Sequence, residues 1–233
     1  MRGVVSFILI LSVFVCALPV NAQKRKPLKK IQEDTIVIPE DIIFEVMEDE
    51  ILAEQEAEAA AFAENNANIP ILGEPEVEVE QMFNFIRTQN PDFQRDIAEA
   101  FYYIGKIYGV RGDIALCQSA LETGWFKFTG GTAVTPDQHN YCGLGVTRLG
   151  IKGHSFDTIE DGVTAQIQHL YAYACKKPLP DGEKIIDPRF SLVVRGIAPT
   201  WNDLNRKWAM NDHYSERIMS IFARMKNFED TNQ

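Results

Sequence analysis

The chain has 233 residues, 45% hydrophobic and 24% charged, a balance that suits one globular domain plus extra segments and excludes a wholly disordered or fibrous protein. Formal net charge is -10, yet residues 31–80 hold sixteen acids and no Lys or Arg, residues 24–30 hold five bases, and residues 81–228 hold seventeen bases against fifteen acids. The acidity belongs to one segment, and the near-neutral remainder carries no phosphate loop and no basic aromatic surface, which excludes nucleotide or nucleic-acid binding.

Residues 1–22 read as an export signal. Arg2 supplies the basic start, residues 4–18 form an apolar run short for a membrane span, Pro19 breaks it, and Val20-Asn21-Ala22 offers small residues for cleavage before Gln23. Cys16 follows Phe14-Val15 rather than the small residues of a lipoprotein signal. The expectation is a periplasmic or extracellular protein with no stable membrane insertion after cleavage; an uncleaved anchor is the alternative. Residues 23–80 read as a spacer, basic and then acidic, largely disordered or loosely helical, because they offer little apolar surface to bury. Export permits disulfides, and Cys117, Cys142 and Cys175 allow at most one: Cys142 with Cys175, or Cys117 with Cys142.

The folded domain is expected over residues 81–228, with 229–233 a tail. Met82, Phe83, Phe85 and Ile86 open a helix that Asn90-Pro91 interrupts. A second begins at Pro91 and ends at Gly109, with Ile97, Phe101, Ile104, Ile107 and Tyr108 at steps of three and four. A third runs from Asp113, a plausible N-cap, to Gly124, with Ile114, Leu116, Cys117, Ala120 and Leu121 as its apolar set. Residues 126–155 are rich in Gly and polar side chains and read as a loop or a small β-lobe. Glu160-Asp161-Gly162 opens a helix to about Cys175, with Val163, Ile167, Leu170 and Tyr171 inward. Thr200, Asn202 and Asp203 cap a helix with Trp208 near its end, and the last helix covers residues 214–227. The fold class is mainly α, with a small irregular lobe between helices.

Glu122 closes the third helix. A lone Glu in a last helical turn is ordinarily a solvated surface residue. Here the negative end of the helix dipole and the apolar neighbours both disfavour ionisation, so a raised pKa is expected, which suits a general acid near neutral pH. Gln118 lies on the same face and Trp125 follows the glycine; an acid, an amide and an indole at one helix end suit a sugar.

Ala120-Leu121-Glu122-Thr123-Gly124-Trp125 followed by Asn140-Tyr141-Cys142-Gly143-Leu144-Gly145 resembles the two signature words of glycoside hydrolase family 73, the bacterial cell-wall N-acetylglucosaminidases with a lysozyme-like fold. Phe156, Gly162, Gln166, Ile167 and Leu170-Tyr171-Ala172-Tyr173 fit the helix that follows in that family; Asp187-Pro188-Arg189-Phe190, Arg195-Gly196, Ala198-Pro199-Thr200 and Trp208-Ala209 resemble one bacterial branch. The resemblance spans about residues 82–227. It implies cleavage of the β-1,4 bond between N-acetylglucosamine and N-acetylmuramic acid, with peptidoglycan strands as the partner and no cofactor. Glu122 matches the general acid, which protonates the leaving oxygen and then activates water, and Tyr214 matches a tyrosine that supports the reacting sugar. The second catalytic group would be a lobe carboxylate, Asp137 or Asp157, or the substrate's own 2-acetamido group. Gln118, Trp125, His139, Asn140 and Tyr141 are the expected substrate-binding residues.

Other readings are a lytic transglycosylase or muramidase on the same polymer, or a wall-binding module without activity. A zinc site built from His139 and Cys142 with His154, His169 or Cys175 lacks the spacing of a known finger, and no metal is expected. A cysteine peptidase would need Cys117, which lies mid-helix on the apolar face, where a thiol is inert.

Overall fold

The computed structural model describes residues 57, 61, 68–129, 131–147 and 151–229. The export signal, nearly all of the spacer upstream of residue 68 and the last four residues lie outside that set. Five α-helices carry the fold: α1 (Val79–Gln89), α2 (Arg95–Tyr108), α3 (Gly112–Thr123), α4 (Ile159–Ala174) and α5 (Tyr214–Lys226), with short 3₁₀ turns at Pro136–Gln138, Phe190–Leu192 and Asn202–Leu204. Extended pairing among the described residues is limited to the isolated bridges Pro70–Thr200, Leu72–Val110 and Asn205–Ala209. Among the described residues the fold is thus mainly helical, as expected, and the described part of 126–155 forms an irregular lobe.

The centre is α3. Every residue of it is buried except Leu121 and Glu122. An ordinary surface helix buries one stripe; a helix apolar or small all round belongs in the interior. Helices α2 and α5 pack on α3, α1 lies against α2, α5 and α3, and α4 lies across α2. The α2–α3 contact is close because glycine faces glycine: a Cβ on Gly112 would sit 2.0 Å from the Phe101 carbonyl oxygen, and one on Gly105 would sit 2.8 Å from the Gly112 Cα. In α2 the buried stripe includes Ile97, Phe101 and Tyr108, whereas Ile107, counted with them on spacing, is 53% exposed. Helix α4 opens as its sequence indicates, with the Thr158 hydroxyl accepting from the Asp161 N–H at 3.1 Å.

Asp113 is not the N-cap residue of α3, which is Arg111, but its carboxylate does accept one first-turn amide, the Ile114 N–H at 3.0 Å. It lies in the first turn, fully buried, and its carboxylate accepts two N–H groups of Arg111 at 2.9 Å each, with the Glu76 N–H at 2.8 Å. Arg111 also reaches Glu76 at 2.7 Å and stacks over Phe222 at 5.1 Å. A planar cation two residues away adds two parallel charge-assisted bonds to the one the carboxylate makes with the helix-end amide.

The same ion group shows that the packed domain begins before residue 81. Ile71 is fully buried, and the chain from Ile69 is bonded on both sides: Ile71 N–H to the Pro199 carbonyl, Trp201 N–H to the Ile69 carbonyl, Arg111 N–H to the Ile71 carbonyl and Gly73 N–H to the Gly109 carbonyl, each 2.9–3.0 Å. This arm has no helical or alternating pattern, and its acids made it resemble spacer. Two smaller differences occur downstream. Arg95, not Pro91, opens α2, and the helix expected after Thr200 is a single 3₁₀ turn, ended where Arg206 adopts a left-handed φ of 59°. Cys117, Cys142 and Cys175 are free thiols.

Replacing Gly112 by Ala should destabilise the fold by about 1–3 kcal/mol, since the clash with a backbone oxygen outweighs the smaller gain in helix propensity. Thermal unfolding followed by circular dichroism checks this; an unchanged midpoint would contradict the tight α2–α3 contact.

Candidate active site

Glu122 reaches the surface from a helix that is otherwise inside. Gly124 ends α3 in the left-handed region, and Trp125 and Phe126 follow with φ of 62° and 59°. Three successive left-handed residues, two of them bulky, are costly unless braced. Thr123 supplies the brace: its hydroxyl donates to the Ser119 carbonyl at 2.7 Å and accepts from the Phe126 N–H at 2.8 Å. The chain turns away at once, leaving the Glu122 carboxyl at the edge of a cleft of about 340 Å³.

The opposite walls are the lobe loop 142–147, His169 and Tyr173 of α4, Arg189, and Trp208. Among the described residues Glu122 is the only carboxylate lining this cleft. The lobe loop is held by Asn140, which is fully buried; its side chain accepts from the Leu144 N–H and donates to the Leu144 and His154 carbonyls, all at 2.9 Å. The turn before it seats on α4 at Gly162, where a Cβ would lie 1.8 Å from the His139 carbonyl oxygen.

Burial raises the Glu122 pKa above the ordinary carboxylate value, while the Tyr214 hydroxyl, the Arg217 charge and the Trp208 indole pull the other way. The Tyr214 hydroxyl donates to Glu122 Oε1 at 2.5 Å. Burial pushes the Tyr214 phenol far up, so that donor keeps its proton. Behind it stands an ordered chain of amides. The Ala115 carbonyl can only accept, and the Gln166 Nε2 donates to it at 3.2 Å and to Gln118 Oε1 at 2.9 Å. Gln118 Nε2 then donates to Tyr214 Oη at 2.9 Å, and Ser119 Oγ donates to Gln166 Oε1 at 2.8 Å. Each donor direction is fixed by the one before it. The phenol proton therefore points at Glu122 Oε1.

None of the five residues read as substrate-binding lines the Glu122 cleft, and most are engaged in internal contacts. Gln118 is fully buried and occupied in the amide chain. Asn140 ties the loop. Tyr141 is 2% exposed among Phe101, Phe126 and Phe128. Trp125 packs edge-on against Phe85 at 5.9 Å, with Arg224 over its ring. His139 is bonded through Nδ1 to the Phe156 carbonyl at 3.1 Å and, with Tyr141, lines a separate smaller cavity. Asp137 is exposed in the Pro136–Gln138 turn, its carboxyl held below the ordinary value by the Thr135 hydroxyl. Asp157 is exposed beside the Thr158 cap. Neither aspartate lines the Glu122 cleft. The structure brings together Glu122, Tyr214 and Gln118, and adds His169, Tyr173, Arg189 and Trp208, none of which the sequence reading placed in the sugar site. A histidine on the buried face of α4, paired with a later acid, was the available signal; Nδ1 of His169 lies 2.7 Å from Oδ2 of Asp187.

Residues 98–227 match the family model described as mannosyl-glycoprotein endo-beta-N-acetylglucosaminidase, the glucosaminidase family. An uncharacterized protein of Borreliella burgdorferi is 35% identical over 167 residues, which cover 70% of this chain and 80% of that protein. No solved structure matches.

Two stability effects are expected from this geometry. Burial raises the Glu122 pKa, so the fold loses stability as pH rises from the ordinary carboxylate range through the raised value. Glu122→Gln removes that titration and should be more stable than the parent above this window, the difference shrinking below it. Urea unfolding at acid and neutral pH reads the effect, and parallel pH dependences would contradict it. Tyr214→Phe leaves the Gln118 amide buried without its acceptor and should cost about 1–3 kcal/mol in the same assay.

Proposed function

The chain belongs to glycoside hydrolase family 73, and from that membership we propose that it is an exported enzyme cutting the β-1,4 bond between N-acetylglucosamine and N-acetylmuramic acid, with Glu122 as general acid. The family makes it a glycoside hydrolase acting on peptidoglycan. The observation that carries the finer reading is the solitary, partly buried Glu122 on the cleft wall, its pKa raised by burial and its Oε1 engaged by Tyr214.

Glycosidic cleavage needs a proton on the leaving oxygen as the anomeric C–O bond breaks. A carboxyl whose pKa is raised by burial is better suited to supply it than an ordinary surface carboxylate. Tyr214 serves both states of the acid: it fixes the rotamer before transfer and stabilises the carboxylate after it. Trp208 adds a second donor on the cleft side.

Two outcomes are expected when purified peptidoglycan is digested by the full chain, reduced with borohydride and analysed by mass spectrometry. New ends carry reduced N-acetylglucosamine, and Glu122→Gln lowers their rate of appearance by about 10²- to 10⁴-fold while binding to the wall persists. Reduced muramic acid ends would indicate a muramidase and anhydro-muramic ends a transglycosylase. Parent rates in the variant would refute Glu122 as the acid.

A further inference from the structure

The cleft holds a second proton-transfer group in a fixed orientation. Asp187 is 1% exposed, and its Oδ1 accepts from the Arg189 N–H at 2.7 Å. Its Oδ2 holds Nδ1 of His169 at 2.7 Å, which keeps the ring proton on that nitrogen. The ring stands edge to face against Trp208 at 5.1 Å and Tyr173 at 5.3 Å. Nε2 has no hydrogen-bond partner among the described residues, and it is not among the atoms sealed from solvent without one. His169 lines the same cleft as Glu122, and Trp208, against which it stands, also interacts with Glu122.

An imidazole with Nδ1 committed to a carboxylate and Nε2 open is oriented as a base. It needs a proton donor. Cys142 lines the cleft, but burial pushes its thiol well above the ordinary value and its sulfur lies toward Asn140, so it is no activated nucleophile. Lys207 donates to the Asp203 carbonyl at 2.8 Å. The remaining donor of the right size is water.

We propose that His169 is the catalytic base of this cleft, removing a proton from the water that attacks the anomeric carbon, with Asp187 as its positioning residue. This rests on the glycosidase reading above. In the step, the anomeric C–O bond breaks and its electron pair goes to the leaving oxygen, which takes the Glu122 proton. The water oxygen bonds to the anomeric carbon, and its proton goes to Nε2. Solvent then carries that proton back to the Glu122 carboxylate. The two groups divide the work between them, no second carboxylate is required, and the anomeric configuration inverts. The titratable and charged groups facing the imidazole are Asp187 from the following loop, Tyr173 from α4, Glu122 from α3, Cys142 from the lobe, and Arg189 and Lys207 at the cleft wall.

The test compares the full chain with His169→Gln, Asp187→Asn and Glu122→Gln on soluble peptidoglycan glycan chains. His169→Gln is expected to lower kcat by about 10²- to 10⁴-fold with KM little changed, and to abolish the acid limb of the kcat–pH profile. Asp187→Asn should lower kcat with KM little changed, because the imidazole loses the carboxylate that fixes its orientation. Proton NMR of fresh product from the parent should show the α-anomer first. A His169→Gln enzyme near the parent rate with its acid limb intact overturns the proposal, as does a β-anomer formed first, which would mean retention through the acetamido group. If His169→Gln fails to fold, the parent's product anomer and Asp187→Asn decide. An inactive Glu122→Gln beside an active His169→Gln leaves the glycosidase reading standing and removes only the base; an active Glu122→Gln removes both.

Discussion

The molecule depends on the burial of α3 on all its sides. A helix that offers no solvent face can place a polar side chain at the surface only at its end, and α3 does so at Glu122. Everything that packs on it, from the glycine contact with α2 to the Arg111–Asp113 pair at its start, also limits how far that carboxyl can move. Fixing the acid is thus a by-product of building the core, and the left-handed turn after Thr123 completes it by removing the chain from the cleft mouth.

The buried polar chain behind Glu122 converts that rigidity into chemistry. A lone amide in a core is expensive, and a partly satisfied network is worse than an apolar one. Here the side chains are paired from the Ala115 carbonyl through Gln166 and Gln118 to Tyr214. The directional order decides which Glu122 oxygen receives a bond. Tyr214 and Gln118 come from helices 96 positions apart in sequence, so the order exists only in the folded state.

Helices with strong periodicity were legible in the sequence. The stripe of α2, the start of α4 near Glu160-Asp161-Gly162 and the glycine stop of α3 all rest on local rules, and Glu122 stands out because it directly follows an apolar set. What local rules missed depends on long-range partners. Asp113 also accepts from the Glu76 N–H, 37 positions upstream, a partner no local rule supplies. Tyr141 and Trp125 read as sugar platforms because aromatic rings serve equally well in a core. His169 and Asp187 are 18 positions apart, on either side of a loop, and only the fold makes them a pair. The arm before α1 escaped because extended backbone held by backbone carries no side-chain pattern.

That arm also sets where mechanical load would travel. Chain arriving from upstream meets Ile69 first, and residues 69–73 are bonded on one flank to residues 109–111 and on the other to residues 199–201. A pull along this direction loads several parallel backbone bonds in shear, a strong arrangement, rather than unzipping them one at a time. The Glu76 ion pairs with Arg111 and Lys226 lie just beyond, as a second anchor on the base of α3 and the end of α5. The cleft is lined from other segments, so tension on the upstream chain is borne by the far end of α3, and the carboxyl at its other end is spared.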